Sequence, residues 1–231
     1  MTMPEEIAVT PSPAGRWQSL ALGTLWLGFV TYAVLFSPSS TPDTIEVIRQ
    51  LSTGQWALLN PLVVVLFNLM GLWPLVYAGL ALSDGCEQSI PAWPFVVGSF
   101  GFGAFALMPY MALRKPTCHL PQRLPDTALL KRLNHRWLGW IVVAATLALV
   151  IYGVAQGHLS ETWQDFCYQF SSSQFIHVMS LDFCMLTLLT PRLLWDDIVR
   201  RQAAPGWRAA SLVPLVGPAL YLALRPSAEC L

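Results

Sequence analysis

The sequence predicts an all-α membrane protein, a polytopic helix bundle of about six transmembrane segments. Three observations carry that expectation. Of the 231 residues 55% are hydrophobic and only 11% charged, whereas soluble domains balance an apolar half with about a quarter of charged residues. Six apolar runs, at 17–37, 56–82, 92–113, 137–156, 173–195 and 209–225, approach the roughly 20 residues that about 30 Å of hydrocarbon requires at 1.5 Å per residue. Trp17, Trp56, Trp93, Trp137, Trp140, Trp195 and Trp207 lie near the ends of these runs, where an indole sits well among lipid headgroups.

Residues 1–16 hold Glu5, Glu6, three prolines and one basic residue, Arg16. That composition lacks the basic start and small-residue cleavage site of a secretory signal, so the first run is read as a retained helix behind a flexible tail. A single transmembrane domain then spans 17–225, with 226–231 as a C-terminal tail. Between the first two runs, Asp43 to Ser52 places Ile45, Val47, Ile48 and Leu51 as the apolar side of a short interfacial helix. In the second run Asn60, Pro61, Asn68, Gly71, Pro74 and Gly79 share an arc of roughly 140° that should face protein. The third alternates Gly98, Gly101 and Gly103 with Phe95, Phe100, Phe102 and Phe105, small residues that admit another helix or a flat ligand. The sixth is short and carries Pro214 and Pro218, which leaves a re-entrant segment as the alternative to a crossing.

Thirteen basic residues balance thirteen acidic ones, so the net charge points to no nucleic-acid partner. Their distribution is informative. With six crossings Arg49, the cluster Arg114, Lys115, Arg123, Lys131, Arg132 and Arg136, and the group Arg192, Arg200, Arg201 and Arg208 fall on one side, against Arg16 and Arg225 on the other. Basic loops stay in the cytoplasm, so the 114–136 and 192–208 loops are expected to be cytoplasmic or stromal and both termini non-cytoplasmic. Five crossings would move the C-terminus across. On the six-span topology Cys86 and Cys167 share the non-cytoplasmic side, which makes them the candidate disulfide. No cysteine spacing suggests a metal centre.

Asp182 is the only acidic residue inside a predicted run, and His177, five residues earlier, is the only histidine. An intramembrane carboxyl costs roughly 2.5–3.5 kcal/mol on insertion scales, which marks it as a proton, ion or ligand site or as interhelical glue. At 100° per residue His177 and Asp182 point about 140° apart. Ser180, Cys184, Thr187 and Pro191 share the histidine's stripe, so this segment is expected at the bundle centre. Asn68 is the expected partner of Asp182 or of a ligand, with Asn60 a further candidate. Asp196 and Asp197, beside Arg192, Arg200 and Arg201, read as an interfacial charge network. Hydrolase, zinc-protease, nucleotide-loop and dinucleotide motifs are absent from the sequence, so the reading leans away from an enzyme.

Phe175-Ile176-His177, Leu181-Asp182-Phe183 and the run Leu215 to Leu222 with its Gly217-Pro218 step resemble the abscisic-acid-deficient, or neoxanthin-formation, type of small membrane protein. The segments 60–74 and 90–109 resemble those of uncharacterised six-helix proteins of cyanobacteria and plastids. The resemblance implies a thylakoid setting, a photosynthetic membrane complex as partner, and handling of a carotenoid, chlorophyll or quinone. Beside that reading stand a carotenoid-type isomerase, with Asp182 as proton donor and His177 as acceptor, and a small transporter or proton pathway through Asp182.

Overall fold

In the computed structural model, residues 13–40, 42–84, 88, 90–115, 135–156 and 159–226 are described. Every regular element among them is helical: α1 Pro13–Leu35, α2 Thr44–Thr53, α3 Pro61–Asp84, α4 Trp93–Leu113, α5 Arg136–Ala155, α6 Leu159–Ser172, α7 Gln174–Arg200, a 3-10 helix Pro205–Leu212 and α8 Val216–Leu224. Five of these, α1, α3, α4, α5 and α7, have the length and apolarity of a membrane crossing, and the chain is an integral membrane protein. Their outward surfaces carry large apolar side chains such as Leu27, Val34, Phe102, Ile151 and Leu188, which water would not tolerate but acyl chains do.

The core lies where α3, α4 and α7 meet, around Trp73, Tyr77, Leu107, Met108, Leu186 and Leu193. Pro191 lies inside the continuous α7 and removes one backbone N–H from its ladder. In the turn before it, Tyr77 donates its hydroxyl hydrogen to the Leu186 carbonyl at 2.6 Å, and Thr190 donates to the same oxygen at 2.8 Å. Buried hydroxyls thus settle carbonyls that lipid could not.

α4 is not a rod. Gly103, at its centre, has φ +48° and ψ −125°, a conformation open to glycine because it has no Cβ to clash. A straight helix would hold Phe95 and Tyr110 about 22 Å apart along its axis, yet their ring centroids are 5.7 Å apart. A Cβ added to Gly98 would lie 3.2 Å from that of Ala106. Beyond the two ends, Lys115 donates its backbone N–H to Gln88 Oε1 at 2.7 Å, and Gln88 Nε2 donates to the Lys115 carbonyl at 2.5 Å. α4 is therefore a re-entrant hairpin of two half-helices. Each half, about ten residues, reaches about 15 Å, half the hydrocarbon thickness.

This hairpin corrects the expected topology. Reading 92–113 as one crossing put its ends on opposite faces, whereas both lie on the face where α3 and α7 end: Arg114 pairs there with Asp196. α1, α3, α5 and α7 make the single crossings. α1 runs antiparallel to α7, since Tyr32 meets His177 near the start of α7 and Trp26 meets the hairpin tip at Phe105. Its N-terminal end accordingly shares the face of Arg114, Arg136 and the 192–208 segment instead of opposing it. Arg225 reaches Asp197 and the Gly79 carbonyl on that face, so the chain returns there as well. The predicted run at 209–225 is a 3-10 helix, a turn and the nine-residue α8, about 14 Å long and too short to cross.

The two faces differ in charge. The basic face carries Arg114, Lys115, Arg136, Arg192, Arg200, Arg201, Arg208 and Arg225. The other, the acidic face, holds the surface helices α2 and α6 with, among the described residues, Asp43, Glu46, Glu161 and Asp165 against Arg49 alone. Arg49 is bonded to Glu46 at 2.6 Å, and its guanidinium, with help from Gln50, draws the Glu46 carboxyl down to about 2, so this pair stays ionised in any neutral or mildly acidic medium. As the sequence suggests, α2 is a short surface helix, docked through Leu51 onto Val63, Val64, Ile176 and Met179.

Cys86 falls outside the described residues. Its candidate partner Cys167 is an exposed free thiol on α6, at the acidic face.

α8 packs against α5 at Gly139, where an added Cβ would lie 2.3 Å from the Ala223 nitrogen and 2.6 Å from the Ala219 oxygen. Backbone cannot yield as a side chain can, so Gly139→Ala is expected to displace α8 and cost about 1–3 kcal/mol. Thermal melting in detergent measures this, with Gly28→Ala, which meets nothing within 4 Å, expected to melt as the wild type does.

Candidate functional site

Eight residues into α7, about 12 Å along its axis from the acidic face, Asp182 points at the hairpin tip. It is 5% exposed. Its Oδ1 accepts the Ala104 backbone N–H at 2.7 Å, which opens the returning half-helix and has no partner within it. An acidic side chain is well placed at such an end, where helix dipoles concentrate positive potential. Gly103 is required beside it: a Cβ there would lie 1.7 Å from Asp182 Oδ2. Among the described residues Oδ2 takes no hydrogen bond and no Lys, Arg or His pairs with Asp182.

Asp182 and the tip close one end of a cavity of about 660 Å³. Ala33, Met70, Gly71, Ser99, Val178 and Met179 line it together with Phe67, Phe100, Phe102, Phe105 and Phe175. Ser40, Thr44 and Gln174, all near the acidic face, supply the polar part of the lining at the other end. Gln174 is held by its amide N–H to Ser37 Oγ at 2.9 Å. The volume falls within the range of sites for drug-sized molecules, and a few polar groups, here a buried carboxyl, in an apolar wall are the usual pattern of such sites.

The other candidates lie elsewhere. His177 is not in the cavity wall. Its Nδ1 is 2.9 Å from the Phe170 carbonyl and its Nε2 2.9 Å from the Tyr32 hydroxyl. A carbonyl only accepts, so Nδ1 carries the hydrogen and Nε2 accepts from Tyr32. Both nitrogens are engaged, which leaves no lone pair for a pigment metal, and His177 shares no cavity with Asp182. Asn60 donates to the Thr162 carbonyl at 2.9 Å and to Asp165 at 2.7 Å, and accepts the Leu62 N–H at 2.8 Å, tying α6 to the start of α3. Asn68 donates to the Val64 carbonyl one turn back at 2.8 Å. It does not meet Asp182, whose partner is backbone.

The polar stripe on α7 does not form a second buried face either. Ser180 and Thr187 donate to the Ile176 and Phe183 carbonyls at 2.7 and 2.9 Å, and Cys184 is exposed. Hydroxyls bonded to their own helix can face lipid without penalty. Among the described residues, no group of three or more His, Cys, Asp or Glu side chains forms a metal-binding arrangement.

Asp197 anchors a separate network at the basic face. It is fully buried and accepts from Arg201 Nε at 2.9 Å, Tyr221 Oη at 2.8 Å and Arg225 at 3.1 Å, with Arg200 at 3.8 Å. This agrees with a charge network at the membrane boundary and accounts for the docking of the C-terminal segment.

Ala104, Phe67, Met70 and Gln174 were not singled out as site residues by sequence. Their role depends on the hairpin, and the available signal was a glycine at the midpoint of an apolar run. No protein-family model, characterised protein or solved structure matches this chain.

Proposed function

We propose that this protein binds and carries a small molecule within the membrane, in a cavity reached from its acidic face, with Asp182 as the polar anchor. The observation behind this reading is the juxtaposition of a broken re-entrant helix with a buried carboxylate at the inner end of a drug-sized cavity. Secondary carriers use interrupted helices near the bilayer midplane for substrate sites, and intramembrane ionisable groups are costly enough to mark functional positions. Positive-inside retention makes the basic face, with the α1 N-terminus and Arg225, cytoplasmic or stromal. The proposal holds equally for a thylakoid or a plasma membrane.

A second reading is favoured by the phenylalanine-rich wall: a flat cofactor such as a quinone, held in the same cavity during assembly of a photosynthetic membrane complex. Membership of the neoxanthin-formation type family is likewise a proposal, supported by the His177–Asp182 spacing and the Gly217-Pro218 step.

Native mass spectrometry of mildly solubilised protein, with an absorption spectrum, tests both readings. Gly71 lines the cavity, and a Cβ there meets nothing within 4 Å, so Gly71→Phe is expected to fill the site and leave the fold intact. Wild type should carry a small-molecule adduct that Gly71→Phe lacks, colourless for a carried solute and coloured for a conjugated cofactor. Identical adducts on both proteins, or none on either, would overturn the assignment of this cavity.

A further inference from the structure

We propose that the ligand class of this cavity is a lipophilic organic monocation, for which the Asp182 carboxylate is the counter-charge. This rests on the small-molecule reading above and narrows it. Asp182 is 5% exposed and lines the cavity; one oxygen is held by Ala104, and no cationic side chain among the described residues pairs with it. A buried carboxylate with a single backbone donor lacks most of the interactions that would offset its desolvation. A cation in the cavity supplies them.

The walls suit the same guest. Phe67, Phe105 and Phe175 line the space, and aromatic faces attract cations through their quadrupole, more strongly where water is excluded. An inorganic ion would need several oxygen ligands around it, whereas Ser40, Thr44 and Gln174 stand at the opposite end of the cavity from Asp182 and Ser99 is bonded to the Val96 carbonyl. The guest is therefore a cation whose charge sits within an apolar body.

The electrostatic approach agrees. On the acidic face, among the described residues, Asp43, Glu46, Glu161 and Asp165 stand around the surface helices against Arg49 alone, and Arg49 is bonded to Glu46. A face of one sign raises the local concentration of the opposite ion. An anion on that side would meet repulsion first and a carboxylate last.

Equilibrium binding to the full chain in nanodiscs of zwitterionic lipid tests the charge directly. Tetraphenylphosphonium, tetraphenylborate and triphenylmethanol have similar shapes and carry positive, negative and no charge. Saturable tetraphenylphosphonium binding is expected, at least tenfold tighter than either other probe, and at least tenfold weaker in Asp182→Asn and in Gly71→Phe. Asparagine keeps an oxygen for the Ala104 N–H, so the hairpin tip should persist, and the comparison of probes on wild type needs no variant. Equal binding of the cation and the borate, or unchanged cation binding in Asp182→Asn, would overturn the cation class. Triphenylmethanol binding that is lost in Gly71→Phe, with tetraphenylphosphonium no tighter, would do the same while leaving the small-molecule cavity standing. No binding that responds to Gly71→Phe would overturn both.

Discussion

Gly103→Ala is expected to unseat the hairpin tip and destabilise the protein by about 2–5 kcal/mol, the sum of a strained positive φ and an overpacked contact. The new methyl would lie 1.7 Å from Asp182 Oδ2 and 2.6 Å from its Cγ, so the carboxyl and the half-helix cannot both stay in place. Thermal melting in detergent and cavity binding should both report it. Gly23→Ala, which lies outside the cavity and where an added Cβ meets nothing within 4 Å, should leave both unchanged. The double variant Gly103→Ala with Asp182→Ala removes the atoms that the methyl strikes. Its loss should fall short of the two single losses combined, as expected for residues in direct contact. Additive losses would show that the two positions do not touch.

Asp197→Ala should cost about 3–5 kcal/mol, the penalty for leaving buried cations without their counter-charge. Arg201, Arg225 and Tyr221 all donate to this one carboxylate, and Arg200 stands 3.8 Å away. Asp197→Asn keeps the size and one acceptor oxygen but not the charge, so it should recover only a small part of the loss. Since Arg225 also bonds the Gly79 carbonyl, the C-terminal segment should detach before the crossings melt. Limited proteolysis near Arg225 at temperatures below the melting point reads this out. A wild-type cleavage rate in Asp197→Ala would mean that α8 is held by its packing on α5 alone.

Much of this architecture is legible in the sequence, because length and apolarity decide which segments enter lipid. α1, α3, α5 and α7 fall on predicted runs, α2 on its amphipathic spacing, and Asp196 and Asp197 among the arginines that surround them. The hairpin was hidden because a 21-residue apolar run satisfies the length rule whether it crosses once or dips halfway and returns. What decides is one backbone conformation at Gly103, and glycine is as compatible with close helix packing as with a turn.

A second signal was present in the charges. With 92–113 as a full crossing, Arg16 and Arg225 oppose the basic loops. With a hairpin there and a returning C-terminal segment, Arg49 alone does. The sharper asymmetry is what retention of basic loops favours.

At the site, Asp182 stood out because an intramembrane carboxyl is rare. Its partner did not, since a backbone N–H freed by a break has no side-chain signature. Asn68 and His177 have the right chemistry for a site, but hydrogen bonds to Val64 and to Phe170 and Tyr32 engage them, and residue type alone cannot tell an engaged side chain from a waiting one.

A distance across α4 tests the hairpin most directly. Trp93 and Leu113 end the two half-helices and are both exposed, so spin labels can replace them in a cysteine-free background without disturbing the core. Pulsed electron–electron resonance in nanodiscs should give one distribution centred below about 20 Å, because the half-helices lie side by side. A straight crossing would separate the labels by about 30 Å, and a peak there would contradict the hairpin and the cavity that it closes.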